Sequence, residues 1–188
     1  MIKMPSDWRD QAYSGGTDRL PAGGYICRIT DTRMTVAKSG REGLILSFDI
    51  ADGQYKDFYA NHPTISWMAS LWQSTPTGDS RTDGFFFGML TAVEESNPGF
   101  QVMIDKNGNL VESCLEGKLV GVVFRDEEEE YNGRTFFRAR PFRICSAQSI
   151  KDKSYKMPEP KVLPTADAPA KQGIPDGFDK IDDEDLPF

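Results

Sequence analysis

Period-two alternation, more than any other feature, limits what this chain can fold into. Gly24-Tyr25-Ile26-Cys27-Arg28-Ile29-Thr30-Asp31-Thr32 alternates and is rich in β-branched residues, the pattern of a strand with one buried face. Lys38-Ser39-Gly40-Arg41 is a turn with a basic rim, and residues 44–50 form a second strand. Asp52-Gly53 is a tight hairpin turn leading to a third strand over residues 55–59. The period then changes. Residues 64–72 place Met68, Leu71 and Trp72 at i, i+3 and i+4, one helical face, and a second helical stretch over 85–93 closes at Asn97-Pro98-Gly99. Strand character returns at 118–124. An acidic turn containing Asn132-Gly133 then leads into 134–144, so the last pair reads as a long hairpin.

The predicted order is three strands, a helical insert and two strands. This is a mainly β chain, expected to form an OB-like five-stranded barrel with the insert between strands 3 and 4, a fold whose strand face and loops bind oligonucleotides. Residues 1–19 form a polar N-terminal arm, residues 20–150 the barrel domain, and residues 151–178, with five prolines, a disordered linker. An acidic tip over 179–188 follows, so the barrel is expected to carry a disordered acidic tail.

The net charge of −7 is unevenly spread. Residues 1–145 hold 16 Lys and Arg against 20 Asp and Glu, five of those acids in the single run Asp126 to Glu130. Without that run the body is weakly basic, and residues 176–188 carry six acids against Lys180. The overall acidity therefore says little about the folded surface. No stretch approaches the ~20 apolar residues of a membrane span, and the first residues lack an apolar leader core. Cys27, Cys114 and Cys145 are odd in number and widely spaced, which fits a reducing cytoplasm rather than a disulfide framework. With His62 as the only histidine, a structural zinc site is not expected, nor is any other metal or cofactor.

The C-terminus carries the sharpest motif. Asp182, Asp183, Glu184 and Asp185 precede Leu186, Pro187 and Phe188, and an acidic run ending in a free carboxylate and phenyl ring suits a basic-rimmed apolar pocket on a partner. Residues 183–188 resemble the C-terminal tip of bacterial single-stranded-DNA-binding proteins, Asp-Asp-Asp-Ile-Pro-Phe, with Glu for the middle Asp and Leu for Ile. The resemblance implies a barrel that binds single strands and a tip that recruits replication, recombination and repair enzymes. Leu20-Pro21-Ala22-Gly23-Gly24-Tyr25, Lys38-Ser39-Gly40 and the strand over 44–48 are similar to a family of phage-encoded proteins found among replication and recombination genes. That similarity implies a viral origin and a bacterial host cytoplasm.

A single-strand binder needs cations for phosphates and flat rings for bases. Arg134, Phe136, Arg138, Arg140 and Phe142 share parity on the final strand and offer both. The competing reading pairs these arginines with the acidic run across the hairpin. Arg28, Lys38 and Arg41 would line a neighbouring part of the groove, and Tyr55 and Tyr59 would stack on bases. Trp67 and Trp72 fall in the helical insert, with Trp72 on its core-facing stripe. No phosphate-binding loop, nucleophile elbow or acid–base constellation is present, so the chain does not read as an enzyme. The expected partners are single-stranded DNA and, through the tip, DNA-processing enzymes, with a homo-oligomer left open. An adaptor that uses the tip without binding DNA is the rival reading.

Overall fold

The computed structural model describes residues 19–164. Its five strands, β1 (Gly23–Val36), β2 (Glu42–Ile50), β3 (Ser70–Ser74), β4 (Leu119–Tyr131) and β5 (Arg134–Cys145), make one antiparallel sheet in the order β3-β2-β1-β4-β5. Three helices, α1 (Phe58–Asn61), α2 (Ser80–Ser96) and α3 (Ala147–Lys151), complete the architecture. The outer strands β3 and β5 approach one another without a hydrogen-bonded ladder, and α2 packs against β3, β4 and β5 at that seam. The described residues are thus mainly β, with five strands and α2 between the third and fourth.

Alternation decides which face is covered. Cys27 and Ile29 of β1, Leu44, Leu46 and Phe48 of β2, and Val120, Val122 and Phe124 of β4 are buried together. Phe86, Met89 and Val93 of α2, at i, i+3 and i+7, join the same core. Asp79 caps α2 by accepting from the Thr82 N–H at 2.8 Å. At the other end the Asn97 amide donates to Val93 O and Leu119 O, while its Oδ1 accepts from Leu119 N. One side chain thereby ties the end of α2 to the start of β4.

The third strand is not where the periodicity puts it. Residues 55–59 form a turn entering α1, because the Asp49 carboxylate accepts from the N–H groups of Tyr59 and Ala60 and pins the chain in a helical bend. The helix expected over 64–72 is instead a 3-10 turn, Pro63–Met68, followed by β3. In β3, Leu71 pairs with Leu46 and packs on the core, while Trp72 pairs with Ile45 on the opposite face. The second helical stretch is longer than expected, beginning at Ser80 behind its cap. The β4–β5 hairpin turns at Asn132 and Gly133, with φ of 51° and 71°, as the Asn-Gly pair requires.

Structure also continues past residue 150. The Tyr155 hydroxyl accepts from the Gly24 N–H at 3.0 Å, Lys161 N–H donates to Asp126 O at 2.9 Å, and Glu128 N–H donates to Lys161 O at 2.8 Å. The beginning of the expected linker therefore runs along the edge of β4 beyond its pairing with β1. The arm up to residue 18, the remainder of the linker and the tip residues Asp182, Asp183, Glu184, Asp185, Leu186, Pro187 and Phe188 lie outside the described residues. Among the described residues, no helix is long and apolar enough to cross a membrane.

Candidate nucleic-acid interface

The β4–β5 register sets Arg125, Glu127 and Glu129 opposite Arg140, Arg138 and Phe136, so all six side chains share a face. Arg138 Nη1 lies 3.1 Å from one Glu129 oxygen and Arg140 Nη2 lies 2.6 Å from the other. Arg125 pairs with Glu127, which Lys161 reaches at 3.3 Å. Burial alone would raise the Glu127 carboxyl, but the hydrogen bond and charge of Arg125, joined by Lys161, bring it below the usual carboxylate range. Two of the three β5 arginines expected on phosphates are thus held by the chain's own carboxylate. Arg134 stands at the hairpin tip opposite Tyr131, with no ion pair among the described residues.

Rings accompany these cations. The Arg138 guanidinium lies 5.1 Å from the Phe136 ring centre, and that of Arg140 lies 4.9 Å from Trp67, whose side chain is 53% exposed. The tyrosines went elsewhere. Tyr59 is 4% exposed, stacked on Phe124 and edge-on to Phe58, so its ring faces are occupied by core side chains and it offers no stacking surface for a base. Burial accordingly pushes its hydroxyl pKa upward. Tyr55 packs on the core edge-to-face with Tyr25 and Phe58. Arg28, exposed on β1, reaches Gly117 O at 3.4 Å. Lys38 is exposed in the tight β1–β2 turn, which is closed by Ala37 N–H donating to Arg41 O.

Arg41, at the end of that turn, opens onto a cleft of about 730 Å³ at the β3–β5 seam. The other walls are β3 with Trp72, α2 with Arg81 and Phe85, and β5 with Phe142 and Arg143. The Trp72 indole is seated directly on Gly43. A Cβ there would stand 2.2 Å from its Cε2, so only glycine admits the ring. Its Nε1–H is buried without an acceptor. Arg143 stacks its guanidinium 5.7 Å from the Phe142 ring centre. Of the residues expected in a groove, Arg41 and the β5 ring Phe142 fall here. Trp72, expected on the core-facing stripe of the insert, lines it as well, and Arg81, Phe85 and Arg143 join them; the Asp-x-x-Thr cap next to Arg81 is the local signal for that wall.

No protein-family model matches the chain, and neither does any curated protein.

Proposed function

We propose that this protein binds single-stranded DNA with little sequence specificity, during replication, recombination or repair, and recruits partner enzymes through its acidic C-terminal tip. The observation that carries the reading is the combination at the seam. A five-stranded antiparallel sheet brings its free edges together around a helix, and cations and aromatic rings from three elements meet there. Such a partly open closure suits an OB-type barrel, and mixed cationic and aromatic walls suit sequence-tolerant strand binding. Capture of the backbone by arginines and stacking of bases supply the affinity, with no reacting group involved. The tip residues 182–188 supply the recruiting element, and a phage-encoded protein acting in the host cytoplasm fits both.

The test is fluorescence anisotropy of a labelled oligo-dT and of a duplex of equal length, titrated with the full chain over a salt series. Preference for the single strand, weakening with salt, is the expected result. Absence of binding to either would refute it. The adaptor reading, in which the tip works without DNA binding by the body, gains from one observation: Glu129 already engages Arg138 and Arg140. An enzyme captured by the intact tip, with oligo-dT ignored, is the outcome that favours it.

A further inference from the structure

We infer that the cleft between β3, α2 and β5 is a nucleotide subsite, holding one nucleotide of a bound strand with its phosphate on Arg81 and Arg143 and its base against Trp72. This rests on the strand-binding reading and names the place on the protein where the strand is gripped.

Charge is the first argument. Among the described residues, Asp79 is the only carboxylate in the cleft's walls, and it is engaged as the cap of α2. Arg81 and Arg143 reach the cleft from opposite walls and have no carboxylate within ion-pair distance among the described residues. Arg138 and Arg140 of the hairpin, by contrast, are engaged by Glu129. Positive charge left without a protein partner in a concave site is the chemistry of phosphate capture.

Shape is the second. A volume of about 730 Å³ falls in the range of small-molecule sites and exceeds what a bare anion needs. Trp72 provides a broad ring fixed by its seat on Gly43, and the neighbouring Gln73 and Ser74 provide polar groups for a base edge.

The third argument is the wall of α2. Gly84 and Gly88 lie at i and i+4 in the helix and both line the cleft, where a Cβ on either would meet nothing within 4 Å. Packing therefore does not call for glycine at these positions, and glycine weakens a helix relative to alanine. Their effect is a bare helix wall that a ligand can approach closely.

The experiment uses the full chain with Trp8→Phe and Trp67→Phe, leaving Trp72 as the sole indole. Oligo-dT should quench its emission in step with the anisotropy of the labelled strand. Arg81→Ala with Arg143→Ala removes the grip on one phosphate, which flattens the slope of log K against log salt by about 0.7 and costs about 5-fold in affinity at 0.1 M salt. Lys106→Ala with Lys151→Ala, removing two cations elsewhere, should leave the slope unchanged. Gly88→Leu fills the cleft wall with a better helix former, so the fold is retained while strand affinity falls.

Oligo-dT binding with an unquenched Trp72, or an unchanged salt slope in the arginine pair, overturns the subsite and leaves the strand-binding reading intact. No oligo-dT binding by the parent protein overturns both. Quenching by a peptide of residues 179–188 but not by oligo-dT reassigns the cleft to the acidic tip and overturns the nucleotide.

Discussion

Gly121→Ala is the substitution whose cost can be worked most directly from the structure. Gly121 sits in β4 opposite Cys145, beneath the start of α3. A Cβ built on it would stand 2.6 Å from Ile150 Cγ1, 2.7 Å from Ser146 O and 3.0 Å from Cys145 O. Ile150 can rotate, but the two carbonyls belong to the backbone that ends β5 and starts α3, and they move only if the helix lifts. Overpacking of this kind costs about 1–3 kcal/mol, and backbone obstruction places it at the upper end. Alanine returns about 0.4–1 kcal/mol by restricting the unfolded chain, so the net loss is about 2 kcal/mol. For a domain of this size that lowers Tm by roughly 4–8 °C. Thermal unfolding followed by circular dichroism measures it, and faster tryptic cleavage at Lys151 and Lys153 should accompany it as α3 lifts. Gly88→Ala is the internal control: it sits in an exposed helix wall with nothing within 4 Å and should raise stability by about 0.5–1 kcal/mol. A Tm for Gly121→Ala within about 2 °C of the parent, with unchanged proteolysis, would show that α3 does not press on β4 as described.

Glu129→Gln releases Arg138 and Arg140 from their shared carboxylate, and oligo-dT affinity should rise several-fold at low salt. An unchanged affinity in anisotropy titrations would place the hairpin face outside the interface. Glu127 makes the body acid-sensitive. Its folded pKa is depressed, so its contribution is present above its unfolded value and is lost as pH falls through the folded one. Tm should drop below about pH 4.5, and Glu127→Gln should flatten that limb; identical profiles would remove the group from the account. Truncation after Ile174 deletes the six acids of residues 176–188 and should tighten oligo-dT binding, most at low salt, if the tethered polyanion competes for the same cations. Equal affinity for the two chains would end that idea.

What could be read from the sequence follows from how locally each feature is determined. β1, β2 and the β4–β5 hairpin are long enough for alternation to be unambiguous, and Asn132-Gly133 fixes the turn chemically. β3 is five residues long, and apolar residues at 68, 71 and 72 fit the helical period although Leu71 and Trp72 lie on opposite faces of a strand, so only pairing with β2 decides. The bend at 55–59 depends on Asp49, whose carboxylate reaches forward to amides of α1, and no local pattern reports such a contact. Parity along β5 holds from Arg134 to Arg140. It then fails at the register shift, where Phe124 pairs with Pro141 and Val123 with Arg143, leaving Phe142 outside the count. The cleft was hidden for the same reason: its walls come from segments far apart in sequence, and its ring depends on the absence of a side chain at Gly43.

The acidic run is the point where charge pattern and structure meet. Read along the chain, Asp126 to Glu130 looks like a solvated patch that cancels the basic body. In the fold four of its five members act as anchors. Asp126 holds Arg19, Glu127 holds Arg125 and Lys161, Glu129 holds Arg138 and Arg140, and Glu128 accepts from the Leu163 N–H. Five cations are thus spent on three carboxylates within one hairpin and the segments laid beside it. Partly exposed pairs of this kind contribute modest stability each, but they fix where the chain's arginines cannot serve a ligand. Two more arginines, Arg81 and Arg143, line the seam cleft, where, among the described residues, the only carboxylate in the walls is already engaged by a helix cap. The hairpin offers the longest basic stripe in the sequence, yet Arg138 and Arg140 are held by Glu129, and only Arg134 of its three stripe arginines has no ion pair among the described residues. The seam has only scattered cations in the sequence, and the fold gathers them. On the proposed strand-binding reading the seam is the stronger contact, and the salt slope of the Arg81→Ala with Arg143→Ala pair measured against that of Arg138→Ala with Arg140→Ala ranks the two surfaces directly. The seam pair should flatten the slope more, and the reverse order would return the interface to the hairpin.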